Sequence, residues 1–231
     1  MNWGPAIGGG IIGALLTGAL GAALAPRLIG PAAVRAALIA NPEMLLDAGN
    51  ALRARQYAPV LAANRIALET PFASSWKGAA KPDVTLVEFY DYACAYCRRS
   101  LPDVDRLLAE DKGLRVVFRE LPILGANSVA AARVALAASK AGKFGAYHDA
   151  LYAEGAPTPE SVAAVAGKLG VSGTPQDIPE YESELKRNFQ LAGQLGARGT
   201  PLFIVGDRVI NAAVGYDALK AAIADARTRK G

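Results

Sequence analysis

A short apolar segment runs directly into a helix that begins with two cysteines, and this junction is the most restrictive feature of the sequence. Residues 84–90 (VTLVEFY) are mostly β-branched or aromatic and include one carboxylate, which predicts a buried strand. The segment CAYC follows at residues 94–97, where the apolar spacing becomes helical. A second predicted strand comes after this helix, so the sequence predicts an α/β domain.

The two cysteines lie three positions apart at the start of the predicted helix. The free N–H groups and the positive dipole end of a helix N-terminus stabilise a thiolate, so Cys94 is the expected nucleophile with a lowered pKa. Cys97 lies one turn further along the same helix face. From there it can attack a mixed disulfide formed at Cys94 and release the partner chain. The pattern therefore predicts thiol–disulfide exchange.

The same pair has two other interpretations, a metal half-site and two unrelated core cysteines. A tetrahedral zinc site needs four ligands. His148 is the only other Cys or His in the sequence, so no self-contained metal site is expected. Copper(I) binding through the two soft thiolates is the alternative function, since it needs no turnover.

Glu88 stands six residues before Cys94 on the otherwise apolar strand. A buried carboxylate is costly unless it is used or paired. One interpretation is that Glu88 relays a proton to or from Cys97 during exchange. The other is that it pairs with a Lys or Arg across the sheet. We favour the relay.

The rest of the chain predicts a parallel pair of strands, a block of inserted helices and a closing β-β-α unit. Residues 114–119 form the second strand, parallel to the first because a helix connects them. Four helices are then predicted, at residues 128–141, 144–153, 159–169 and 179–195. A hairpin turned at Gly206-Asp207 and a helix from Tyr216 to about Arg227 complete the domain.

Near the C-terminus, Gly199-Thr200-Pro201 precedes a strand, a position compatible with a cis peptide bond. CxxC at a strand-to-helix junction, a Thr-Pro strand about 100 residues later and a helical insert between them resemble the DsbA-type thioredoxin-fold disulfide oxidoreductases. More narrowly, EFYDYACAYCRR, FRELPILGANSVAAARVALAA and GARGTPLFIVGDRVI resemble the ScsC/Com1-like branch of bacterial envelope proteins. The resemblance covers roughly residues 81–227.

This resemblance implies a thioredoxin fold with an inserted helical domain and a cis Thr200-Pro201 bond facing the cysteines. The residues that it assigns to catalysis are Cys94, Cys97 and Glu88. The residues that we assign to substrate binding are Thr200, Pro201, Ala95 and Tyr96. The redox-active disulfide Cys94-Cys97 takes the place of a separate cofactor, and no metal is expected.

The chain departs from DsbA between the two cysteines, where Ala95-Tyr96 replaces Pro-His. The histidine that helps to hold the thiolate is therefore missing, and we expect a less oxidising protein. A Tyr before the second cysteine and a Thr before the proline look more like the DsbC-type isomerases. The choice between an oxidase and an isomerase or reductase stays open at the level of sequence.

Residues 1–30 are predicted as a transmembrane anchor or signal segment. No charged side chain occurs before Arg27, and residues 5–25 are long enough to cross a bilayer. An uncleaved anchor is favoured over a cleaved signal peptide, because Pro26 follows the small-x-small sequence at residues 23–25. Arg27 and Arg35 would place the main body in the cytoplasm, but disulfide chemistry favours the periplasm. We expect a periplasmic protein anchored to the inner membrane.

Residues 31–70 are predicted as a helical stalk, with loosely spaced apolar residues and an interruption at Pro59. Some ScsC relatives form trimers through such a stalk, so a homotrimer and a plain spacer are both kept as interpretations. Residues 70–82 are predicted as a loop, with folded structure starting near Lys81. Residues 71–231 are the predicted DsbA-like domain, with the insert at about 126–196, and are expected to fold alone as a monomer.

Charge and composition limit the partners. The chain has 25 Lys plus Arg against 21 Asp plus Glu, scattered along the sequence, so no nucleic-acid partner is expected. A hydrophobic fraction of 52% suits a full core. The expected partners are cysteine-containing envelope proteins and a membrane redox protein. A scaffold with an incidental redox site is a third hypothesis, which a Cys94→Ser variant would leave intact.

Overall fold

The computed structural model describes residues 30–171 and 178–229 of the 231-residue chain. The predicted membrane segment therefore lies outside the described residues, except for Gly30. Among the residues that are described, no helix combines the length and the hydropathy that crossing a membrane requires. The chain divides into two compact units, the first ending at Ala51 and the second beginning at Leu52.

The first unit contains helix α1 (Pro31–Ala40) and the start of helix α2 (Glu43–Glu69). A proline in the first turn of α1 suits the helix start, where no partner for its missing N–H is needed. Helix α1 buries none of its side chains. Among residues 30–51, the part of this unit that is described, the exposed large apolar side chains are Val34, Ile39, Met44, Leu45 and Leu46.

The remainder of α2 belongs to the second unit. The helix continues through Pro59, which the sequence analysis expected to interrupt it. Leu61 and Leu68 are buried in a cluster with the sheet residues Val87 and Phe89, and this packing offsets the hydrogen bond lost at the proline. Residues 52–69, which were expected in the stalk, are thus part of the folded domain.

A five-stranded mixed sheet forms the centre of the second unit. Its strands are β1 (Trp76–Gly78), β2 (Val84–Tyr90), β3 (Leu114–Glu120), β4 (Leu202–Val205) and β5 (Arg208–Ile210), in the spatial order β1-β3-β2-β4-β5. Strands β2 and β3 are parallel as predicted, and the other neighbours are antiparallel. Strand β1 lies in the stretch that was predicted as a loop. It was missed because three half-exposed edge residues are too few to show an alternation of apolar and polar side chains.

Six further helices lie within two residues of their predicted bounds. They are α3 (Ala95–Glu110), α4 (Ala126–Lys140), α5 (Phe144–Ala153), α6 (Pro159–Lys168), α7 (Pro179–Gln194) and α8 (Tyr216–Thr228). One face of the sheet packs against α3, α8 and the helices α4 to α6. The other face packs against α2 and α7. The cysteines therefore follow the central strand β2, and helices cover the sheet on both of its faces.

Candidate active site

Cys94 is the N-cap residue of α3, directly after the turn that leaves β2. Its Sγ atom accepts a hydrogen bond from the backbone N–H of Cys97, at 3.4 Å. The sulfur also lies 3.2 Å from the carbonyl oxygen of Thr200, to which the thiol form donates. Only 5% of the surface of Cys94 is exposed, so the nucleophile is almost covered by the residues around it.

The surroundings of Cys94 favour its thiolate. The hydrogen bond from the Cys97 thiol is the largest effect that lowers the pKa of Cys94, to about 5. Burial opposes it, and the Thr200 side chain and the backbone N–H groups of Cys97 and Tyr96 add to it. Donors aimed at a helix N-cap stabilise the charged sulfur in the same way as they stabilise any anion there. Cys94 is therefore ionised at neutral pH.

Cys97 has the opposite properties. It is 2% exposed, and burial raises its pKa far above the usual value for a thiol. The hydrogen bond with Cys94 and the nearby Glu88 carboxyl act in the same direction. Both cysteines are free thiols in the structure. The pair thus combines an ionised outer sulfur with a protonated inner one.

Glu88 is buried on β2, on the same sheet face as the helix that carries the cysteines. Burial raises the pKa of its carboxyl to about 8, which nearby Lys77 opposes and Asp105 and Cys94 reinforce. The Lys77 ammonium forms ion pairs with Asp105, at 3.5 Å, and with Asp149. A carboxyl that titrates near neutral pH next to a buried thiol can exchange protons with it.

The other predicted residues surround the sulfur of Cys94. The Thr200-Pro201 peptide bond is cis, and Pro201 is buried. Ala95 and Tyr96 face outward, with 58% of Tyr96 exposed and the Arg99 guanidinium 4.4 Å from its ring centroid. The structure thus brings together Cys94, Cys97, Glu88, Thr200, Pro201, Ala95 and Tyr96.

A buried polar cluster lies beside this site and was not predicted. The Tyr90 hydroxyl donates to the Glu120 carboxyl and lies 3.2 Å from the Tyr92 hydroxyl. Tyr92 in turn lies 3.4 Å from Nδ1 of His148. Burial raises the pKa of Glu120 and lowers that of His148, so both side chains are held neutral. His148 is therefore a buried core residue that contacts the Tyr92 hydroxyl.

Asp91 has a larger role than its place in the sequence indicates. Its buried carboxylate accepts hydrogen bonds from the N–H groups of Ala93, Ile123 and Leu124. The one available signal was an aspartate between an apolar strand and CAYC, because short polar side chains of this kind organise turns. Its link to the loop after β3 depends on the tertiary structure. Within the described ranges, no cluster of three or more His, Cys, Asp or Glu side chains suits a metal ion.

A mixed sheet whose central strand ends in a CxxC helix, with a cis Thr-Pro bond facing the first cysteine, defines a thioredoxin-fold thiol–disulfide protein. The chain belongs to the DSBA-like thioredoxin domain family, whose model matches residues 85–224. The resemblance seen in the sequence is confirmed.

Solved structures agree with this assignment. A thioredoxin-like oxidoreductase from Silicibacter pomeroyi is 38% identical, with a TM-score of 0.66, covering 73% of this chain and 99% of that one. A periplasmic thioredoxin-like protein from Salmonella enterica serovar Typhimurium is 32% identical, with a TM-score of 0.66 and coverages of 71% and 95%. The catalytic domain of Proteus mirabilis ScsC is 27% identical, with a TM-score of 0.68 and coverages of 74% and 98%.

Curated relatives match over a smaller part of their own length. The Na(+)/H(+) antiporter NhaA 1 of Salinispora arenicola is 30% identical over 162 residues, which is 65% of this chain and 24% of the antiporter. The chain thus spans about a quarter of the length of the relative that it matches. The name of that relative describes a whole protein of which this chain resembles one part.

Proposed function

We propose that the protein is an envelope enzyme that exchanges disulfides with cysteine-containing protein substrates through Cys94 and Cys97. The observation that carries this proposal is the contrast between the two sulfurs, since the pKa of Cys94 is lowered to about 5 while that of Cys97 is raised by burial. An ionised sulfur backed by a protonated one is what a nucleophile and a resolving thiol require.

In the oxidising direction, a substrate thiolate attacks Sγ of Cys94 in the Cys94–Cys97 disulfide. The S–S bond breaks, Cys97 leaves as a thiolate and takes a proton from Glu88. A second substrate thiolate then attacks the substrate sulfur of the mixed disulfide, and Cys94 leaves as its stable thiolate. The substrate loses two electrons and the cysteine pair gains them. Glu88 recovers its proton from solvent before the next cycle.

In the reducing direction, the Cys94 thiolate attacks a substrate disulfide, whose S–S bond breaks, so that one substrate sulfur leaves as a thiolate and the other is joined to Cys94. Cys97 then passes its proton to the Glu88 carboxylate and attacks Sγ of Cys94, which releases the second substrate thiolate and leaves the Cys94–Cys97 disulfide. In isomerisation, another substrate thiolate attacks the substrate sulfur of the mixed disulfide instead, and Cys94 leaves as a thiolate with no net transfer of electrons. Thr200 and Pro201, with the exposed Ala95 and Tyr96, provide the surface against which the substrate chain lies. No separate cofactor takes part.

We expect the reduction potential of the cysteine pair to lie between those of thioredoxin and DsbA. A Cys94 pKa of about 5 falls between those of thioredoxin, about 7, and DsbA, about 3.5. Because a more stable thiolate makes a stronger oxidant, we expect a reduction potential between about −270 and about −120 mV. Such a value makes the protein less oxidising than DsbA and suits an isomerase or reductase as well as a mild oxidase.

The test is equilibration of the purified protein with graded ratios of reduced to oxidised glutathione, followed by trapping of free thiols. A reversible two-thiol transition within the stated range supports the proposal. A Cys94→Ser variant, which cannot form the internal disulfide, serves as the control. The absence of a reversible transition in the unaltered protein would overturn the enzyme and favour copper(I) sequestration by the two thiolates.

Location and partners complete the proposal. We place the protein in the periplasm, since protein disulfides form and persist there and a Salmonella relative is described as periplasmic. Residues 1–30 serve as an inner-membrane anchor or a cleaved signal. A membrane redox protein returns the cysteine pair to its starting oxidation state after each cycle. The exposed apolar side chains of α1 and of the start of α2 suit a homotrimer.

A further inference from the structure

Asp91 connects the active-site turn to a separate loop. Its Oδ1 atom accepts a hydrogen bond from the N–H of Ala93, at 2.8 Å. Its Oδ2 atom accepts from the N–H groups of Ile123 and Leu124, at 2.8 and 2.9 Å. The carboxylate is buried, and hydrogen bonds to a buried anion are stronger than those between neutral groups. One side chain thus ties two loops that are far apart in sequence.

The backbone of the same residue supports the cysteines. The Asp91 carbonyl accepts hydrogen bonds from the N–H of Cys94, at 3.0 Å, and from the hydroxyl of Tyr152, at 3.1 Å. Asp91 therefore connects the turn that carries Cys94 to the loop that follows β3.

The loop bound by Asp91 presents an apolar surface. Leu121 at its start is buried, and its N–H donates to the carbonyl of Tyr90. Ile123 and Leu124 follow, with 43% and 52% of their surface exposed. About half of each of these apolar side chains is in contact with water, and covering it with a binding partner would contribute favourable free energy.

We propose that Asp91 is a positioning residue that holds Ile123 and Leu124 beside Cys94 as a contact surface for the apolar part of a substrate chain. The inference rests on the proposed function, since the occupant is a polypeptide joined to Cys94 through a mixed disulfide. Tyr96, exposed next to Cys94, extends the surface. A small disulfide such as oxidised glutathione reaches the sulfur without covering this surface.

The test compares two substrates, oxidised glutathione and a disulfide-linked peptide whose cysteine is flanked by leucine and valine. The measured quantity is the ratio of kcat/KM for the peptide to kcat/KM for glutathione. We expect the ratio to fall at least about fivefold in an Ile123→Ser/Leu124→Ser variant, because two exposed apolar contacts are lost. These side chains are exposed, so their replacement leaves the core packing in place.

An Asp91→Ala variant is expected to lower the ratio by a similar factor, and to lower it no further in the Ile123→Ser/Leu124→Ser background. Asp111→Ala is the control for loss of a turn carboxylate away from the cysteines, because Asp111 accepts the N–H of Gly113 at the other end of α3 and pairs there with Arg227. If Asp91→Ala does not fold, Asp91→Asn, which keeps one acceptor oxygen, replaces it.

An unchanged ratio in the Ile123→Ser/Leu124→Ser variant would overturn the contact surface. Equal losses for both substrates in Asp91→Ala would overturn the positioning role and leave Asp91 as a support of the cysteine turn. Failure of the proposed function is a separate result, in which the unaltered protein reacts with neither substrate.

Discussion

Both the Cys97 thiol and the N–H groups of the helix N-terminus lower the pKa of Cys94. The Cys97 thiol is the largest contributor to its lowered pKa, ahead of the Thr200 side chain. The reactive sulfur is thus prepared by the residue that later resolves the mixed disulfide. This coupling explains why a CxxC pair can work without the histidine that DsbA places between its cysteines.

Removal of these donors is expected to raise the Cys94 pKa in a definite order. Cys97→Ala should raise it more than Thr200→Val, since the Cys97 thiol is the larger cause. Below the new midpoint, each unit by which the pKa rises lowers the thiolate fraction about tenfold. The measurement is thiolate absorbance at 240 nm against pH for the reduced proteins. The reverse order would show that Thr200, and not Cys97, is the main donor.

Glu88 affects both the stability of the fold and the rate of exchange, and the two effects can be measured separately. Its carboxyl has a folded-state pKa of about 8 against an ordinary value of 4.5, so the folded state binds the proton more tightly than the unfolded state. Stability is therefore full below about pH 4.5 and is lost as the pH rises toward 8. The loss is roughly 3 kcal/mol at pH 7.

Glu88→Gln, which is neutral at every pH, is expected to raise the free energy of unfolding at pH 7 by up to roughly 3 kcal/mol. The same variant should slow release of the mixed disulfide about tenfold or more, because the proton acceptor for Cys97 is lost. Urea denaturation at several pH values and quenched-flow trapping of the mixed disulfide measure the two effects. Unslowed release in a stabilised protein would refute the relay.

At the level of elements, the end of α2 is held by a residue of β3. Arg119 is buried and donates to the carbonyl oxygens of Ala67, Leu68 and Thr70. It also pairs with Glu184, at 3.0 Å, and burial lowers its pKa from the usual arginine value. A buried guanidinium that loses such partners is strongly destabilising. The last turns of α2 are thus structural parts of the domain.

Truncation tests this directly. A chain of residues 71–231 lacks Leu61, Leu68 and three acceptors of Arg119, whereas a chain of residues 52–231 keeps them. The two leucines alone contribute about 4–10 kcal/mol, close to the whole stability of a typical domain. We expect the longer chain to fold and the shorter one to be largely unfolded, against the expectation from sequence. Circular dichroism with urea denaturation decides, and equal midpoints would contradict the prediction.

At the scale of the whole molecule, the described residues of the first unit, 30–51, carry exposed apolar side chains on both of their helices. We expect the chain from residue 30 onward to form an oligomer, and the chain from residue 52 onward to be a monomer. Val34→Glu with Ile39→Glu should dissociate the oligomer, since both side chains are exposed on α1. Light scattering coupled to size exclusion measures the mass. A monomer for every chain would favour a spacer.

Much of the fold follows from local patterns. The β2 strand, the CxxC helix and the inserted helices were predicted because the spacing of their apolar residues is visible within a short stretch of sequence. Strand β1 and the continuation of α2 through Pro59 were not, since each depends on contacts distant in sequence. Trp76, for example, pairs with Val117.

The sequence by itself determined the chemistry of this protein, because two cysteines at a helix start, a Thr-Pro before a strand and an acid on the central strand are local arrangements. The tertiary structure alone decided how these groups act. The carbonyl of Thr200 meets the sulfur of Cys94 across 106 positions, and Asp91 meets Ile123 across 32. Burial, which sets the pKa values of Glu88 and Cys97, exists only once the sheet is covered on both faces.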